Sequence, residues 1–108
     1  MGVIQHDAII VTGTDFGTDT PVADLHEIAT NTFPEVSRIL YSKSNGYASF
    51  FIPPDGSKEG WSSSDEGDSN REYFLGKAED KHCDVLIISY GELGRWVESL
   101  KKIDEDEF

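Results

Sequence analysis

Apolar and polar positions follow two rhythms along this chain, and each change of rhythm marks an element. Asp7–Thr12 reads DAIIVT, a short β-branched run that predicts a buried strand stopped by Gly13. GTDFGTDTP follows as a Gly, Thr and Asp loop. Pro21 suits the first position of a helix, with Thr20 or Asp19 as its cap. Val22, Leu25, Ile28, Ala29 and Phe33 then recur at helical spacing, and Pro34 ends that helix. Val36–Ser42, VSRILYS, predicts a second strand. Ser44-Asn45-Gly46 predicts a hairpin turn, because Asn-Gly takes positive φ at low cost. Tyr47–Ile52 is then a third strand, stopped by Pro53-Pro54. Its alternation sends Ala48, Phe50 and Ile52 to a core and Tyr47, Ser49 and Phe51 to the opposite face.

Periodicity lapses over residues 55–70, DGSKEGWSSSDEGDSN, which predicts a mobile acidic loop with Trp61 in its middle. Ser69 and Glu72 have capping-box spacing, so a second helix is expected from about Asn70 to His82, despite Gly76. Val85–Tyr90, VLIISY, is a fourth strand, apolar on both faces as if covered twice. Trp96, Val97, Leu100 and Ile103 predict a C-terminal helix, available to cover the sheet where Tyr47 and Phe51 emerge. The order β-α-β-β-α-β predicts an α+β fold, ferredoxin-like, with split βαβ units closing one antiparallel sheet and a C-terminal helix added. Residues 1–103 are expected to form one domain and residues 104–108, DEDEF, an acidic tail.

Charge changes this picture more than composition does. The chain of 108 residues carries a net charge of −12, with nine cations against 21 acids. Acids crowd residues 1–35, which hold no Lys or Arg, and then residues 55–70 and the tail; residues 36–54 carry only Arg38 and Lys43. Such a chain repels phosphate backbones and is steered towards basic partners. Asn45–Ile52 keeps Gly46, Tyr47 and Ala48 of the RNP1 pattern of RNA recognition motifs, but Asn45 stands at the basic position and Ser49 at the second stacking position. With cations scarce, direct nucleic-acid binding is not expected.

Other chemistry is thin. The lone Cys83 excludes an internal disulfide and a cysteine-based zinc site. His6, His26 and His82 are scattered, and neighbouring His82 and Cys83 do not face each other on a helix. The loop Thr12–Thr18 has neither P-loop nor G-x-G-x-x-G spacing. Asp15, Asp19 and Asp24 fit no calcium loop, nor do Asp65, Glu66 and Asp68. No catalytic, cofactor or metal residues are therefore expected. No run reaches the ~18 apolar residues of a membrane span, and no secretory signal is legible, so a cytoplasmic chain is expected.

The resulting expectation is a small, non-catalytic, acidic protein-binding module that covers a basic surface on a partner, such as a nucleic-acid-binding protein. Inhibitors of this class, from phages and mobile elements, mimic nucleic-acid charge. Tyr47, Phe51, Trp61, Asp65, Glu66 and Asp68 are the expected contact residues: aromatic anchors and steering charge. The alternative is a ferredoxin-like domain binding a small ligand at the Gly13–Gly17 loop, with the sheet face as a candidate homodimer surface.

Overall fold

The computed structural model describes residues 5–54 and 62–99. Strand β1 is Gln5–Thr14, helix α1 Pro21–Thr32, strand β2 Leu40–Tyr41, strand β3 Tyr47–Ile52, helix α2 Ser62–Ala78, strand β4 Cys83–Gly91 and strand β5 Gly94–Ser99. The strands form one antiparallel sheet in the order β2-β3-β1-β4-β5. This is the expected α+β class, with one strand more than expected at the β4 edge.

Both helices pack on one face of the sheet. Ile9, Val11, Phe50, Ile52 and Val85 from the sheet meet Val22, Leu25 and Ala29 of α1 and Phe74 and Ala78 of α2. Phe74 is the centre: its ring meets Phe33 edge-on at 5.8 Å and Phe50 at 6.4 Å. Helix α1 follows the periodicity read above, with Ile28 and Phe33 packed beside its buried stripe. Its N-terminal cap comes from further back than expected. Asp15 accepts the N–H groups of Val22 at 2.9 Å and Ala23 at 3.1 Å, while Thr20 makes no side-chain cap.

Strand β1 runs through Gly13 rather than stopping there. A Cβ at Gly13 would lie 3.0 Å from Val22 Cγ2 and 3.1 Å from Cys83 Sγ, so glycine permits α1 and β4 to close over the strand. The Asn-Gly hairpin forms as expected, with φ of 59° at Asn45 and 67° at Gly46. The second strand is shorter than Val36–Ser42. Ser37 takes the place of ladder pairing: its N–H donates to Phe51 O at 2.9 Å, and its Oγ accepts the Phe51 N–H at 2.8 Å.

Three expectations are corrected. Residues 62–70 are not a loop but the first turns of α2, so Ser69 and Glu72 lie inside the helix and do not cap it. The stripe of buried and half-buried residues Gly67, Asn70, Arg71, Phe74, Leu75, Ala78 has helical spacing throughout, yet its first three members are not hydrophobic. Packing of that stripe carries a segment whose Ser, Asp and Gly content opposes a helix. Helix α2 also stops at Ala78, short of His82. The C-terminal helix is instead strand β5 over Gly94–Ser99. Gly91, at φ 151°, pairs with Gly94, at φ 122°, across a two-residue turn that returns the chain along the β4 edge. Residues 55–61 and 100–108 lie outside the described residues.

Candidate functional site

The register assigns every strand residue to one of two faces. Trp96, Ser89 and Asp7 form a row on the helix-bearing face, and Glu98, Ile87, Ile9 and Ile52 form the next. The helices cover β3, β1 and β4 but leave β5 beside them, and a groove of about 780 Å³ opens between α2 and β5. Leu75, Ile87 and Trp96 give it an apolar floor. Asp68 and Glu72 rim it from α2, Glu79 from the turn just past α2, and Glu98 from β5. Asp68 and Glu72 share one side of α2 because a four-residue separation does.

Arg71 lies at the end of this groove, its side chain only 14% exposed. It donates to the Asp68 carboxylate and lies 3.8 Å from Asp7 Oδ2. Asp7 and Arg71 also border a second cavity, of about 560 Å³, walled by Phe33, Pro34, Ile52, Pro53 and Pro54 and flanked by Glu35 and Glu66. One largely buried ion pair thus stands between two concave spaces, where removing either partner would strand a charge. The groove can hold a positively charged group, with aliphatic or aromatic contact below and carboxylates on both sides.

The expected contact residues do not come together. Tyr47 and Phe51 emerge on the face away from the helices, as their alternation implies, while Glu66 and Asp68 belong to α2 on the other side. Trp61 and the Asp65 side chain lie outside what is described. The ring that does reach the acids is Trp96, which the sequence reading assigned to a sheet-covering helix. Its pairing with Ser89 was legible only once β5 was a strand.

The Gly13–Gly17 loop lines neither cavity. Asp15 is occupied with α1, and the Phe16 ring lies where a Cβ on Gly46 would sit, 2.6 Å away, so the loop packs against the hairpin turn. His26 is tied into the fold: Nε2 donates to Ser37 O at 2.9 Å, and the ring meets Phe50 edge-on at 5.1 Å. Among the described residues no cluster of His, Cys, Asp or Glu has metal-site geometry, and no helix is long and apolar enough to cross a membrane.

No protein-family model matches the sequence, and no curated protein does. A solved structure of a phage SAM lyase in complex with S-methyl-5′-thioadenosine is similar over 92% of this chain and 91% of that one, at 14% identity and a TM-score of 0.46. That protein is an enzyme, and the expectation of a non-catalytic chain is withdrawn against it. The likeness is too distant to transfer an activity, and the groove is read from its own residues.

Proposed function

We propose that the chain is a small acidic binding module whose groove between α2 and β5 receives a positively charged segment of a partner protein, such as the basic site of a nucleic-acid-binding protein. The observation that carries this is the apolar floor of Leu75, Ile87 and Trp96 lying between carboxylates on two elements. A Lys or Arg side chain fits both parts: its aliphatic stem covers Trp96 while its head meets Glu72, Glu79 or Glu98. The net charge of −12 speeds encounter with such a partner and makes it sensitive to salt. The strand order β2-β3-β1-β4, with α1 and α2 on one face, supports reading the frame as a ferredoxin-like split βαβ arrangement to which β5 is added.

Titration of the labelled protein with an arginine-bearing peptide and a neutral peptide of equal length tests the reading. Resonances of Trp96, Glu98 and Leu75 should move with the first, saturate, and return as salt rises. Equal binding of both peptides, or shifts confined to other surfaces, would refute it.

A second reading has its own observation. The cavity beside Asp7 and Arg71 is walled by Phe33, Pro34, Ile52, Pro53 and Pro54, the mix of apolar lining and few polar groups that suits a small ligand. Saturable thermal stabilisation by an uncharged metabolite, with no peptide binding, would favour it.

A further inference from the structure

The face of the sheet away from the helices has no cover among the described residues, and the register defines it row by row. Leu40, Ser49, Thr12 and Asp84 form one row; Phe51, Ile10, Leu86 and Ser99 form the next. Ala8, Ile88 and Val97 follow, and His6, Tyr90 and Arg95 close the face. Leu40, Tyr47, Phe51, Leu86, Tyr90 and Val97 are between 38% and 61% exposed, and all six point this way. One contiguous surface thus gathers large apolar side chains that a lone domain would keep from water.

Its charge separates it from the rest of the molecule. Across the five strands the outward positions carry one acid, Asp84, and one permanent cation, Arg95. A surface neutral in itself, on a chain of −12, is not built to select a basic partner. Two such chains would meet through it with their acids turned away from each other. Packed sheets lie ~10 Å apart. The acids of α1 and α2 then stand on the far sides of the pair, beyond a Debye length at physiological salt.

The two charges also agree with a two-fold axis. Asp84 and Arg95 lie on neighbouring strands but at opposite ends of the face, beside Thr12 and beside Tyr90 and His6. A two-fold axis running across the strands reverses position along them while keeping β4 over β4. It carries Asp84 of one copy towards Arg95 of the other, twice, and sets apolar rows against apolar rows. This is the self-complementarity an isologous contact requires.

We propose that this open face is an interface between two copies of the chain, with Phe51, Ile10, Leu86, Ile88 and Val97 at its centre and Asp84 and Arg95 paired across it. The proposal is independent of the groove, which lies on the other side of the sheet. Sedimentation equilibrium of the full chain over a range of concentrations tests it, with L86E as the first variant. The wild type should be a dimer, and L86E, which buries a charge at the contact, should weaken association more than about hundredfold with unchanged circular dichroism. Should L86E not fold, the edge substitutions D84R and R95D answer instead. Each alone should weaken the dimer roughly three- to fivefold, and the two together should restore it. A monomeric wild type overturns the proposal, whatever else covers the face. So does an oligomer indifferent to L86E, or a double exchange no tighter than either single one.

Discussion

The two faces of the sheet are made by the same strands and use them in opposite ways. On the helix-bearing face Ile9, Val11, Phe50, Ile52 and Val85 vanish beneath α1 and α2. On the other, Phe51, Leu86, Tyr90 and Val97 stay in contact with solvent. Apolar content alone does not separate the two, since both carry aromatic and branched residues. What separates them is where the crossover helices lie: both pack on one side, and β5, standing where a covering helix was expected, leaves the other side open among the described residues. The comparison teaches that a strand apolar on both faces, as β4 is, does not imply a covering helix on each side among the described residues.

Phe50 and Phe51 offer the sharpest way to break the comparison, being adjacent in sequence and 2% and 39% exposed. Truncating Phe50 to Ala should destabilise the fold by about 3–5 kcal/mol in urea unfolding. Phe51→Ala should cost about 1 kcal/mol or less under conditions where the chain is monomeric. Equal losses would mean that the outer face is as enclosed as the inner one.

Gly13→Val probes how tightly α1 and β4 close over β1. Its side chain would begin 3.0 Å from Val22 and 3.1 Å from Cys83, and a loss of about 1–3 kcal/mol is expected in the same assay. Asp15→Ala removes the carboxylate that accepts the Val22 and Ala23 N–H groups, and should cost about 1 kcal/mol. That loss should be felt through α1 alone, as faster amide exchange in its first turn. The smallest effect on stability belongs to the groove. Glu98→Gln should leave the unfolding midpoint within about 0.5 kcal/mol of the parent, while weakening capture of an arginine-bearing peptide measured by calorimetry.

Much of the frame was legible in order along the chain. Pro21 and the spacing from Val22 to Phe33 specified α1, and Asn45-Gly46 specified a hairpin that only positive φ allows. The alternation of Tyr47–Ile52 named its buried residues correctly. The failures have a common cause. The start of α2 turns Gly67, Asn70 and Arg71 away from solvent, residue types that carry no apolar signal. Strand β5 was misread because Trp96 and Val97 begin a spacing that also suits a helix, while the decisive pairing of Gly91 with Gly94 is a fact about two strands together. The groove was missed for the same reason: Trp96 meets the acids of α2 only when β5 lies beside β4.

By itself, then, the sequence determined the α+β class, the first helix, the hairpin, the two faces of β3 and the excess of negative charge. Each of these follows from interactions within a few residues or from composition. Only the tertiary structure decided where α2 begins, that Gly94–Ser99 is a strand, which face of the sheet the described helices leave open, and which aromatic ring stands among the carboxylates. Each of those depends on what lies opposite in space. A short apolar segment suits a helix or a strand almost equally well until a neighbour supplies the packing surface or the unpaired edge that selects one of them.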